Sequence, residues 1–244
     1  MAGVATVQRV TGWWIPFLHT VFASTAFLGA LVIGWNLYYF KIVKNEHYGY
    51  PQEWFPSVSA TIGDRYQGRS FFQIFIALTS PSRLLLHVFW YVLLARAVPR
   101  KAKALFWVGF LRTWTCGGWV YVTSGDDHDV HDIMMILYML LTVPYMILLV
   151  KSCDKSMFTH SARALALNKT RRRWVSALFF GSIPPMIYFF INHKVHKVPG
   201  AYTTYAFFEW ALIVFDVMFD SLAMVEFKAL DLAIIPNKAD GLRS

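Results

Sequence analysis

Residues 121–132 place four carboxylates (Asp126, Asp127, Asp129 and Asp132) and two imidazoles (His128 and His131) between two long apolar runs. Acids interleaved with histidines are what proton transfer or metal coordination requires. Asp127 and His131 stand four apart, so on a helix their side chains share one face. A carboxylate there would fix the imidazole tautomer and leave the other ring nitrogen to take a proton from a substrate hydroxyl. Acylation of that hydroxyl is one reaction such a base would serve. The pair His128 and His131 with a carboxylate would also suit zinc, although no cysteine joins them. A serine nucleophile lacks a glycine-flanked elbow, and His128 to Asp132 falls one residue short of the soluble glycerolipid acyltransferase signature. A purely structural role competes: Ser124-x-x-Asp127 suits a helix N-terminus, and acids in a first turn favour its positive dipole end. Capping uses one or two of these groups, and the chain carries more.

The elements that must position this stretch are set by composition. Of 244 residues, 57% are hydrophobic, 18% aromatic and only 15% charged, which excludes an ordinary soluble domain and implies an integral membrane protein. The formal charge of +9 sits in Lys and Arg of a few loops beside apolar runs, which argues for membrane topology and against nucleic acid as a partner. Apolar runs at about 13–40, 71–98, 104–123, 131–150, 174–192 and 205–227 are long enough to cross a hydrocarbon core of about 30 Å. The expected fold is all-α: a single polytopic domain over residues 1–244 with six transmembrane helices. The first run lacks a small-residue cleavage signature and is read as a retained helix. Basic residues concentrate at the termini and in the second and fourth loops, so both termini are expected in the cytosol. The first and third loops, the latter carrying residues 121–132, then face the lumen. The sequon at Asn168 falls in the basic cytosolic loop and should stay unmodified. Cys116 and Cys153 lie too far apart in this topology for a disulfide, and the tail 235–244 is expected to fray.

Two further features stand out. The first loop, 41–69, mixes aromatic and polar residues and is expected to pack as a lumenal lid, with anchoring in the headgroup layer by Trp54 and Phe55 as the alternative. Arg83 and Arg112 fall inside spans, at depths where Asp216 of the last span could meet them. Asp216 and Asp220 lie about 20° to either side of Glu209 around that helix. A buried ion-pair network is one reading of these groups and a phosphate site built on Arg83 is the other.

The residues Phe55-Pro-Ser-Val-Ser-Ala-Thr-Ile-Gly63, Ser80-Pro-Ser-Arg83, Tyr121-Val-Thr-Ser-Gly-Asp-Asp with His131-Asp132, and Glu209 resemble the post-GPI-attachment-to-proteins factor 2 family. They also resemble the amino-terminal membrane part of the fungal GPI–ceramide remodelling protein, within the FRAG/DRAM/SFK superfamily. The resemblance covers nearly the whole chain. It implies an acyltransferase that returns a saturated chain to lyso-GPI, resident in Golgi membrane, with endoplasmic reticulum membrane as the alternative. It places Asp126, Asp127, His131 and Asp132 on the family's acidic-histidine motif, Ser57 and Ser59 on its loop motif, and Arg83 and Glu209 on its charged positions. His131, Asp127 and Asp126 are then the catalytic candidates. Arg83, Ser57, Ser59, Asp132, Glu209 and His128 are the substrate-binding ones. No bound cofactor and no metal are expected; acyl-CoA or a phospholipid would enter as acyl donor. Implied partners are GPI-anchored proteins, lyso-GPI, membrane lipids and other GPI remodelling proteins. A non-catalytic adaptor that presents GPI lipid to a partner enzyme is the rival class, and a metal-dependent lipid hydrolase is a third. The large soluble domain of the fungal protein has no counterpart in this sequence.

Overall fold

A computed structural model describes residues 8–63, 65–155 and 161–234; the tail expected to fray, 235–244, lies outside the described residues, as does Asp64. Eight helices account for nearly all of the regular structure: α1 (Trp14–Ile42), α2 (Val58–Gly63), α3 (Tyr66–Leu94), α4 (Pro99–Tyr121), α5 (His128–Val150), α6 (Ala162–Lys194), α7 (Ala201–Ser221) and α8 (Ala223–Phe227). The departure from an all-α fold is a two-stranded antiparallel ribbon, β1 (Gln8–Thr11) with β2 (Asp231–Ile234), in which Gln8 faces Ile234. It fastens the two ends of the described chain together at one end of the bundle.

Local chemistry explains the helix limits. Proline opens α4 at the position where its missing N–H is not needed. Asp127 N-caps α5 by accepting from the Val130 amide, and Ser161 caps α6 through the Ala164 amide. Pro81, Pro144, Pro184 and Pro185 lie inside helices, tolerated because packed neighbours and polar side chains take up freed carbonyls. Helix α6 begins well before residue 174, because the stretch expected as a basic loop already winds as helix. Within it, the Asn168 amide is buried and donates to the Leu222 carbonyl and to Glu226, each at 2.9 Å.

Helices α1, α3, α5 and α6 are each long and apolar enough to cross a bilayer. Helices α4 and α7, with 23 and 21 residues, are also of spanning length at about 1.5 Å per residue. Their charges, Arg100, Lys101, Lys103 and Arg112 in one and Glu209, Asp216 and Asp220 in the other, keep their apolarity low. Around the bundle, α5 packs on α4, α4 on α3, α3 on α1, α1 on α7 and α7 on α6. The seam between α5 and α6 is sparsely packed. That seam is where the bundle opens.

Candidate functional site

At the bundle centre, four charges from three helices neutralise one another. Arg83 of α3 donates to Asp216 of α7 at 3.1 Å, to the Tyr138 hydroxyl at 2.6 Å and to Cys116 Sγ at 3.1 Å. Arg112 of α4 donates to both Asp216 and Asp220, the latter at 3.1 Å, and to Thr142 at 3.0 Å. All four charged side chains are buried. Two guanidinium groups facing two carboxylates meet the requirement that buried charge be paired and hydrogen-bonded. Expected to bind a headgroup phosphate, Arg83 is instead committed to these protein partners.

The first loop packs down onto the start of α7. Buried Glu53 accepts from the Gly200 amide at 2.9 Å and the Thr203 amide at 2.8 Å, satisfying donors at the α7 N-terminus. Phe55 stacks on Phe207 with ring centroids 4.5 Å apart. Buried Glu209 accepts from the Val58 amide at 2.7 Å and the Ser59 hydroxyl at 3.3 Å, so it holds the first turn of α2. Ser57 Oγ accepts from the Ala60 amide at 3.1 Å and lies 3.0 Å from the Tyr202 hydroxyl. Glu209 therefore acts as the tether that seats α2; it does not share a cluster with Asp216 and Asp220 despite its common azimuth. The C-terminal end of α2 touches the acidic-histidine loop: a Cβ on Gly63 would lie 3.3 Å from Thr123 Cβ.

In that loop the six titratable groups separate. Asp126 accepts from the Thr123 hydroxyl at 2.8 Å, the Thr123 amide at 3.2 Å and Arg69 at 3.1 Å. The Thr123 hydroxyl and amide, with Arg69, hold its carboxyl below the usual carboxylate range. Asp127 is spent on the Val130 amide at 3.0 Å. His128 pairs with Asp132 at 3.5 Å on an exposed surface. His131 is buried, and its Nδ1 lies 2.9 Å from the Val122 carbonyl. A carbonyl only accepts, so Nδ1 carries the proton and Nε2 holds the lone pair of the neutral ring. That Nε2 has no hydrogen-bond partner among the described residues. The expected orienter, Asp127, is thus replaced by a backbone carbonyl, because the Asp127 side chain caps its own helix. His128 and His131 also part company, one exposed and one buried, and among the described residues no group of three or more His, Cys, Asp or Glu side chains is disposed to hold a metal ion.

Two cavities meet at this point. An apolar groove of about 620 Å³ follows the α5–α6 seam, walled by residues such as Met135, Met139, Leu140, Met186, Ile187 and Phe190. His131, His128 and Asp132 stand at its polar end, with Ser57, Ser59 and Ser124. From Asp132 to Val143 the α5 wall runs for about 16 Å at 1.5 Å per residue. A polar vestibule of about 590 Å³ shares Ser57, Ser59, Ser124, His193, Lys194 and Tyr202 with the groove, and adds Lys41, Lys44, His47 and Glu46, the last 3.6 Å from Lys194. A polar chamber with three lysines and one glutamate, continuous with an apolar slot, matches an amphiphile with an anionic headgroup and an alkyl chain. Neither Arg83 nor Asp126 nor Asp127 lines these two cavities. Lys41, Lys44, Lys194 and Ser124 were not legible as site residues: the lysines read as loop charges, and only folding converges them. Their position after apolar runs on one side of the chain was the available signal.

The family model described as the Frag1/DRAM/Sfk1/Cwh43P N-terminal domain matches residues 11–230. Among curated proteins, the chain is similar to Protein cwh43 of Schizosaccharomyces pombe, 46% identical over 217 residues that cover 89% of this chain and 21% of that protein. It is also similar to Acyltransferase PGAP2 of Xenopus tropicalis, 25% identical over 86% of this chain and 84% of that one. Post-GPI attachment to proteins factor 2 of Caenorhabditis briggsae is 22% identical over 90% and 89% respectively. The chain thus spans about a fifth of the length of cwh43 and most of the other two. No solved structure matches.

Proposed function

The chain belongs to the Frag1/DRAM/Sfk1/Cwh43P N-terminal domain family, and from that membership we propose that it is a GPI-lipid acyltransferase acting at the lumenal face of a Golgi membrane. The carrying observation is the unpartnered Nε2 of His131, a residue that lines the apolar groove whose serines and Lys194 are shared with the polar vestibule. The free hydroxyl of lyso-GPI is presented to Nε2, which takes its proton as the oxygen attacks the acyl carbonyl of acyl-CoA or a phospholipid donor. Collapse of the adduct breaks the donor's thioester or ester bond, and the imidazolium returns the proton to the leaving group. Lys41, Lys44 and Lys194 hold the lipid phosphate, and the α5–α6 groove takes the alkyl chain. The seam gives lateral entry from the bilayer. Six spans with cytosolic termini fit the ribbon that joins the chain ends at one side, since that pairing requires an even number of crossings. His131→Ala is expected to leave a folded, Golgi-resident protein whose cells lack reacylated anchors; normal saturated anchors would refute the assignment.

A second reading, a non-catalytic adaptor that hands lyso-GPI to a partner enzyme, draws on the relation to cwh43, where the matched region is only part of a far longer chain. Purified protein alone would then transfer no acyl group, whatever the donor.

A further inference from the structure

The Val122 carbonyl that receives His131 Nδ1–H belongs to the same peptide unit as the Thr123 amide. That unit is planar, and in the trans form its C=O and N–H point in opposite directions. The carbonyl side bonds His131 at 2.9 Å. On the other side Asp126 accepts the Thr123 amide at 3.2 Å and, through the same Oδ2, the Thr123 hydroxyl at 2.8 Å. Arg69, from the first turn of α3, then holds both Asp126 oxygens at 3.1 and 3.3 Å. The amides of Asp126 and Asp127 both donate back to the Thr123 carbonyl, at 2.9 and 3.1 Å. Gly63 packs against the Thr123 side chain from the first loop.

We infer that Arg69 and Asp126 are positioning residues that set the tautomer and direction of the His131 ring through the peptide unit joining Val122 and Thr123. The carboxylate stands where a directly bonded acid would stand in a histidine–acid pair, with one peptide unit inserted. An anion accepting the N–H of a peptide polarises its C=O and makes it a stronger acceptor, so the proton is held on Nδ1 and the lone pair on Nε2, in a residue that lines the groove. Arg69 keeps the carboxylate from swinging to solvent, where nearly half of its surface is exposed. The brace also ties the start of α3 to the α4–α5 loop, so the aim of the ring depends on a helix that does not line the groove. This inference rests on His131 acting as the base, yet its structural part is measurable without activity.

The test is ¹⁵N NMR of protein labelled at histidine nitrogen and held in nanodiscs, with the His131 signals assigned by their loss in His131→Gln. Wild type is expected to show neutral His131 protonated at Nδ1. Asp126→Ala is expected to mix the two tautomers and lower turnover by about tenfold with little change in KM. Arg69→Ala is expected to move both readouts the same way and less far. Asp126→Asn, which keeps an oxygen for the Thr123 amide but loses the charge, is expected to fall between Asp126→Ala and wild type in both readouts. A purely structural brace would change thermal unfolding alone. Unchanged tautomer populations in folded Asp126→Ala would overturn the inference; should that variant fail to fold, unchanged populations in Arg69→Ala would do so. Absence of acyl transfer by wild type would refute the proposed activity while the tautomer result still decides the brace.

Discussion

Two of the polar regions inside this apolar bundle are built on opposite terms. The central one gathers Arg83, Arg112, Asp216 and Asp220, each buried and each hydrogen-bonded to protein. The other, at the end of the α5–α6 seam, has a buried imidazole with one nitrogen unbonded, three hydroxyls and three lysines around connected space. The first has the greater density of charge, and its guanidinium and carboxylate groups are committed to one another; the second has fewer charges, and of its lysines Lys194 faces Glu46 at 3.6 Å. Charge density alone is therefore a poor guide to chemistry in a membrane bundle. A group free to bond a substrate, beside space for that substrate, is the better one.

That contrast breaks first under substitution at the centre. Asp216→Ala leaves two buried guanidinium groups short of a counter-charge and is expected to cost about 3–5 kcal/mol of stability, read as a large fall in the thermal unfolding midpoint in nanodiscs. A near-wild-type midpoint would show that this layer is not structural. His131→Gln reverses the pattern: stability close to wild type, with acyl transfer down about 10²- to 10⁴-fold. Pairing Lys44→Ala with Lys194→Ala is expected to raise KM for the anionic lipid about two- to fivefold with kcat retained, and the difference should shrink in high salt. The smallest effect concerns Asp126. Its carboxyl is held below its ordinary value of 3.8, so the brace is intact above that value and is lost as pH falls through the lowered one. Hydrogen-exchange protection of the Thr123 amide should be kept near neutral pH and disappear in that acid range; protection lost well above it would contradict the brace.

Much of the bundle was legible because long packed helices announce themselves as apolar runs: five of the six runs fall on one long helix each, and the sixth covers most of α7 with α8. The start of α6 was hidden because Arg163 and residues 171–173 read as a loop while they wind as a basic first stretch of helix, in which Arg172 turns inward to pair with Glu226 at 3.1 Å. The ribbon was hidden because four-residue strands carry almost no periodic signal. Within the site, the motif led to His131, but the i, i+4 spacing pointed to Asp127 as its partner. Helix capping wins there: an acid at the N-cap is drawn to its own amides. A backbone carbonyl as ring partner leaves no mark in side-chain identity. Arg83 and Glu209 were visible as unusual charges, yet their roles, one in the ion-pair layer and one under α2, depended on which helices met. The α5–α6 seam, which makes the groove, is a property of packing between distant segments and of no single one.

The most direct measurement places purified protein in vesicles with lyso-GPI and a labelled acyl donor, tested in turn as acyl-CoA and as phospholipid, and follows label in the GPI product. The expected result is transfer by wild type with one of these donors and loss of transfer in folded His131→Gln. Label transferred equally by His131→Gln, or none transferred by folded wild type from either donor, would contradict a His131-based acyltransferase.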